Sequence, residues 1–120
     1  MKIIHGKDVP LEDRGGYLVK KMLSEKINSC ENNLDGMIQF LTVVLKGKKC
    51  KEQYHAKSYE TVFFLDAGIG IINGQKYNFE AGDNLFLEPG DRHEFLAIEN
   101  DLRLYAVRVP NLPEDKINTY

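Results

Sequence analysis

Turn chemistry recurs in this chain at intervals too short for helices. Five of its ten glycines (Gly68, Gly70, Gly74, Gly82 and Gly90) fall within 23 residues, and short apolar or alternating runs lie between them. Residues 69–72 run apolar into Asn73-Gly74, a dipeptide that favours the positive-φ turn joining two antiparallel strands. Tyr77 and Phe79 then alternate with Asn78 and Glu80, the period of a half-buried strand. Ala81-Gly82-Asp83 and Glu88-Pro89-Gly90-Asp91 turn the chain on either side of the apolar run at 85–87. A further run at 95–98 precedes Asn100-Asp101, and the stretch 102–109 places Leu102, Leu104 and Ala106 on one face. Upstream, residues 38–45 are β-rich, with Val43 and Val44 poor helix formers in mid-run. Strands this short and this regularly spaced predict an all-β antiparallel sandwich or barrel. The lack of strand–helix alternation argues against a Rossmann-like sheet.

The 120 residues suffice for one core. We expect a single domain, 1–120, with an N-terminal segment at 1–35, a barrel core at 36–109 and a tail at 110–120. The N-terminal segment reads two ways: Leu18, Met22, Leu23 and Ile27 would line one side of a short helix, while Tyr17-Leu18-Val19 would equally open a strand. The tail, with Pro113 and mixed charges, is expected to pack on the surface or fray. Sixteen basic against eighteen acidic side chains give a net charge of −2 and a pI near 5.9, unlike the basic stripe of a nucleic-acid binder. No apolar stretch approaches the length of a membrane span, and the start lacks the apolar core and cleavage site of a secretory signal. A soluble, cytoplasmic protein is expected, with Cys30 and Cys50 as reduced thiols and no zinc-finger spacing.

Two of the three histidines stand in chemically suggestive company. Gln53 and His55 share one face of an extended strand, because side chains alternate with period two. Glu60 opens the next run, and a hairpin between the two runs would bring it to the same face. His93 follows Glu88-Pro89-Gly90, and a sheet that curls on itself would carry it to the first three. Val62, Phe64 and Asp66 share parity with Glu60, and Phe95 and Ala97 with His93, so they can line a pocket, although any barrel core shows the same pattern and Phe64 and Phe95 read better as plain core. Arg92 would meet a substrate anion or solvate a turn. Tyr59 and Lys57 lie in a connection near the mouth, and His5 reads as an ordinary surface residue. No nucleophile–base pair, phosphate-cradling loop or GxSxG elbow is present, so acyl and nucleotide chemistry have no support.

These two blocks resemble the paired motifs of the cupin superfamily, small β-barrels of jelly-roll type. Gly47, Gln53-Tyr54-His55, Glu60 and Ala67 stand at the anchor spacing of the first motif. Gly82, Glu88-Pro89-Gly90, His93 and Ala97 stand at that of the second. Gln53 takes the place of the family's first histidine, and Ala67, Glu88 and Ala97 also depart from the pattern. The resemblance implies a cupin-like jelly-roll barrel holding one divalent transition metal on Gln53, His55, Glu60 and His93. Even without Gln53, two histidines and one carboxylate form the facial set of non-haem iron sites, and Gln53 would add a weaker carbonyl oxygen. Such mixed nitrogen and oxygen ligands suit iron, manganese, nickel, cobalt or zinc.

The resemblance further implies a small-molecule ligand or substrate and a homodimer in which the apolar N-terminal residues pair with a neighbouring subunit. Three functional readings follow. One is a metal-dependent enzyme of isomerase, lyase or dioxygenase type, with catalytic side chains unassigned. Another is a non-catalytic barrel that binds a small ligand or a metal. The third is a degenerate barrel kept for assembly, in which Gln53 in place of the first ligand marks a lost site, though the three retained ligands argue against it.

Overall fold

Runs of alternating polarity become strands throughout the computed structural model, which describes residues 1, 4–25 and 36–119. After a 3-10 turn at Gly6–Asp8 come β1 (Glu12–Asp13), β2 (Tyr17–Glu25), β3 (Met37–Val44), β4 (Lys49–His55), β5 (Tyr59–Phe64) and β6 (Gly68–Ile72). They are followed by β7 (Gln75–Phe79), β8 (Asn84–Leu87), β9 (His93–Leu96) and β10 (Leu102–Val109), and a 3-10 turn at Pro113–Asp115 leads into β11 (Lys116–Asn118). The strands form two antiparallel sheets, one ordered β1-β2-β3-β10-β5-β8 and the other β11-β4-β9-β6-β7. Facing one another, they make the expected jelly-roll barrel, without a ladder joining the two sheets among the described residues.

The core follows from parity. In β10, Leu102, Leu104, Ala106 and Arg108 are buried while Arg103 is exposed. At one end of the barrel Phe64 is fully buried, stacked 4.2 Å from Phe79 and edge-on to Phe95 at 5.8 Å. Each such ring contributes roughly 1.5–3 kcal/mol by leaving water. Gly70 makes room for this cluster, since a Cβ there would lie 2.7 Å from the Phe79 ring. The β6–β7 hairpin turns on Asn73 (φ 50°) and Gly74 (φ 82°), as the dipeptide predicts.

Three sequence readings resolve here. The N-terminal segment is strand, not helix: β2 pairs along β3 of its own chain, with a bulge between Lys21 and Leu23. That extra residue, Met22, shifts the side-chain parity, so a bulged strand carries the apolar spacing of a helix. Ile27 and Cys30 lie outside the described residues. The tail packs rather than frays, as β11 pairs with β4 through Lys116–His55, Ile117–Tyr54 and Asn118–Gln53. The expected hairpin between β4 and β5 does not form, for the two strands lie in opposite sheets.

The chain crosses between the sheets at residues 56–58, and the tail holds this corner. Asp115 accepts hydrogen bonds from the backbone N–H groups of Lys57 (2.9 Å) and Ser58 (2.8 Å), and the Ser58 hydroxyl donates to the Pro110 carbonyl at 2.9 Å. Burial opposes ionisation of Asp115, but the two N–H donors outweigh it and hold the carboxyl below its ordinary value. Its contribution to stability is therefore present above the unfolded-state value and lost as the pH falls through the folded-state one. Asp115→Ala leaves the buried Ser58 N–H and the part-buried Lys57 N–H without this partner and is expected to cost about 1–3 kcal/mol at neutral pH. Urea titrations of the two proteins should show that gap at pH 7 and its narrowing in acid.

A buried His–Glu–His cluster and its cavity

His55 ends β4, Glu60 lies in β5 on the facing sheet, and His93 opens β9. The corner at 56–58 sets Glu60 opposite His55, and the ligand atoms of His55, Glu60 and His93 all lie within 4.8 Å of one another. Glu60 Oε2 is 3.6 Å from His55 Nε2, and its Oε1 is 3.8 Å from His93 Nε2. These separations exceed the ~3 Å of a hydrogen bond and leave a gap between the three groups. All three are buried, at 3%, 6% and 1% exposure in chain order. The His93 Nδ1 lies 3.0 Å from the Asp91 carbonyl. A carbonyl only accepts, so Nδ1 carries the proton and Nε2 turns a lone pair inward.

Gln53 joins this group through a distortion in its strand. Cys50 pairs with Phe95 and Gln53 with His93, so β4 spends one residue more than β9 between these pairs. Cys50 and Gln53 would face opposite ways on a regular strand, but the bulge turns both inward. The Gln53 amide nitrogen stands 3.5 Å from His93 Nε2, and a half-turn of the amide would present its carbonyl oxygen at the same place.

Burial sets the electrostatics. It strips water from Glu60 and pushes its carboxyl up to about 7, against the pull of Arg108 and Lys116. It pushes His55 down to about 3, with Arg108 and His93 acting in the same direction. His93 is lowered by burial as well, against the Asp91 carbonyl. Both imidazoles are therefore neutral; the His55 Nε2 lone pair faces the Arg108 Nη1 donor at 3.3 Å as well as the cluster, and His55 Nδ1 is buried without a hydrogen-bond partner among the described residues. Two neutral imidazoles and one carboxylate fit a divalent cation, which would supply the charge that Glu60 lacks.

Glu60, His93 and Gln53 lie in the wall of a cavity of about 380 Å³ whose other walls include Tyr17, Val19, Phe40, Val62, Phe95 and Leu104. Val62 and Phe95 line it, Phe95 while also packing in the core, and Phe64 is plain core as expected, with Ala97 beside it in the core cluster. Asp66 is not in the cavity, since β5 ends before it and its carboxylate pairs with Arg103 at 2.8 Å. Arg92 is exposed, its backbone N–H donating to Asn73 Oδ1 at 2.9 Å. Tyr59 faces outward and stacks on Phe86 at 5.9 Å, and His5 is exposed as expected.

The reading missed Arg108, whose Nη1 lies 3.3 Å from His55 Nε2 and 3.9 Å from Glu60 Oε2. Its signal was present: it continues the inward parity of Leu102, Leu104 and Ala106 as a lone charge. Lys116 also reaches the cavity, because β11 pairs it with His55.

The sheets, the crossing corner and the inward cluster together define a barrel with the cupin fold. It resembles KdgF from a Halomonas species, at 13% identity over 95% of this chain and 97% of that one, with a TM-score of 0.79. It also resembles PAC13 from Streptomyces, solved with uridine, at 11% identity over 100% and 92% and a TM-score of 0.77. A third is a predicted oxalate decarboxylase from Thermotoga maritima, at 20% identity over 91% and 99% and a TM-score of 0.71. No protein-family profile matches the sequence, and no curated protein does so either.

Cys50 is buried and free, and burial pushes its thiol up to about 11 against the pull of Lys116. That shift lowers its thiolate fraction by about 100-fold. In a Cys30→Ser background, Cys50 should react with a maleimide or disulfide reagent at least about 10-fold more slowly in the native than in the urea-unfolded protein.

Proposed function

We propose that the protein is a cytoplasmic, homodimeric metalloenzyme that acts on a small molecule inside the barrel, by isomerase, lyase or dioxygenase chemistry. The observation that carries this reading is the buried His55–Glu60–His93 cluster, whose Glu60 and His93 line a cavity in the barrel. In this reading His55, Glu60 and His93 hold the metal and Gln53 lends a weaker oxygen. When bound, such an ion supplies Lewis acidity toward a ligand oxygen, or electrons if it is iron or manganese.

The protein's own groups orient and insulate. The Asp91 carbonyl fixes the His93 ring, Arg108 presents a cation beside the cluster, and Phe40, Val62 and Phe95 keep the cavity apolar. Catalysis in this fold has a parallel in PAC13, described as a nucleoside dehydratase, and in RemF, a polyketide cyclase from Streptomyces resistomycificus. A free thiol at Cys50 suits a reducing compartment. The exposed rings of Tyr59, Phe63 and Phe86 would be covered by a second copy.

A second reading, a non-catalytic barrel that binds a small ligand, is favoured by one observation. Glu60 is the only carboxylate among the described residues lining the cavity. As a ligand it would be unavailable as a base, and Tyr17, pushed up to about 12 by burial and by Cys50, keeps its proton at neutral pH.

Plasma mass spectrometry of the purified protein should find about one equivalent of a transition metal. His93→Ala should lose it nearly completely, whereas Gln53→Ala should retain it more weakly. Absence of metal even after reconstitution would overturn the metalloprotein reading. Metal binding without turnover of any small-molecule substrate class would favour the second reading. Sedimentation at micromolar concentration should report a dimer, and a monomer would remove the homodimer from the proposal.

A further inference from the structure

We infer that the cavity takes a small organic carboxylate, whose charged end is received by Arg108. This deepens the reading above by naming a ligand class, and rests on it for the metal's share of the charge. Among the described residues, the lining carries four cationic side chains, Arg14, Lys21, Arg108 and Lys116, against the single carboxylate of Glu60. Two of the four have no need of a ligand: Arg14 Nη2 lies 2.8 Å from the carboxylate of Glu12, and Lys21, 3.9 Å from the same group, is exposed to solvent. Arg108 and Lys116 remain. Asp115, the other acid near them, spends its carboxylate on the N–H groups of Lys57 and Ser58.

Arg108 is the telling group. Its side chain is only 9% exposed; Nη1 meets the neutral His55 Nε2 at 3.3 Å, and Nε is buried with no hydrogen-bond partner among the described residues. Its guanidinium lies over the Phe40 ring at 5.1 Å from the centroid, and Glu60 stands 3.9 Å away, beyond hydrogen-bond reach. A buried cation with an idle donor is costly unless an anion completes it. A divalent ion that claimed Glu60 would deepen the imbalance, leaving Arg108 and Lys116 beside a cation already in excess of its ligand charge.

The form of the anion follows from the donors and the walls. A guanidinium fork matches a planar carboxylate in two parallel hydrogen bonds. A carboxylate ends in two oxygens that the guanidinium fork alone can satisfy, whereas a phosphate dianion spreads a double charge over more oxygens and costs more to desolvate in a cavity with apolar walls. Val19, Ile38, Phe40, Val62, Phe95 and Leu104 suit a hydrocarbon body, and about 380 Å³ holds a small one.

Calorimetric titration with acetate, benzoate and succinate, each beside its amide, and with inorganic phosphate tests this on the protein as purified and after chelation. At least one carboxylate should bind about 10-fold or more tightly than its amide and more tightly than phosphate. Arg108→Gln should erase that discrimination. Lys116→Gln, at the edge of its sheet, should weaken carboxylate binding with the circular dichroism of the fold unchanged. No carboxylate exceeding its amide, phosphate binding more tightly, or folded variants of both residues that keep the full preference would each overturn the inference. A carboxylate preference in a protein that takes up no metal would leave this inference standing while the metal reading falls. Stoichiometric metal without any preference would do the reverse.

Discussion

The candidate site depends on the grip of the Asp115 carboxylate on the backbone at residues 57 and 58. His55 and Glu60 lie in opposite sheets, and the segment between them has to leave one sheet and enter the other within a few residues. A corner this tight exposes its N–H groups to burial without a ladder partner. Asp115 supplies those partners, the Asp115 carbonyl accepts from Ala56 N at 3.2 Å, and the His55 carbonyl accepts from Gly90 N at 2.8 Å. The last bond ties the corner to the turn that leads to His93. Three stretches distant in sequence are thereby fixed around one point, and none of them needs a helix to do it.

From that point the barrel divides by chemistry. One end is filled by Phe64, Phe79 and Leu102, packed closely enough that Gly70 must lack a side chain, and Phe95 stands between that packing and the cavity. The other end keeps a cavity and gathers groups that resist burial: a carboxyl raised by desolvation, two imidazoles lowered by it and a guanidinium with an idle donor. The packed end carries the stability that lets the other end remain electrostatically incomplete. An arrangement that is unfavourable alone is what a site for charged ligands requires, since a ligand then relieves the tension rather than creating it.

Local chemistry made much of this legible in the sequence. Asn73-Gly74 announces its hairpin, the alternation at 102–109 matches β10 from end to end, and His55, Glu60 and His93 are marked by their spacing. What escaped reading depends on non-local pairing. Nothing near residues 116–118 shows that they would find β4, so Lys116 and Asp115 were invisible as parts of the site. Glu60 was expected beside His55 through a hairpin, and it meets His55 across the barrel instead. Asp66 kept the right parity but fell beyond the end of its strand. Arg108 was readable and went unread, because a charged residue at an inward position looks like the end of an apolar run until its burial is known.

The extra residue in β4 has a consequence for how such a barrel can change. Because it separates the pairing of Cys50 with Phe95 from that of Gln53 with His93, the two halves of the strand are out of phase, and each answers to a different neighbourhood. Substitutions upstream are judged by the core, and those downstream by the cluster, with little crosstalk along the backbone. Loss of a single codon between them would remove the bulge and leave the two residues two apart, so that Cys50 and Gln53 would still share the inward face of a regular strand. Loss of a codon elsewhere in the strand would turn one half over by a full face. The bulge is therefore the one place where this strand can shorten without exchanging its inner and outer side chains.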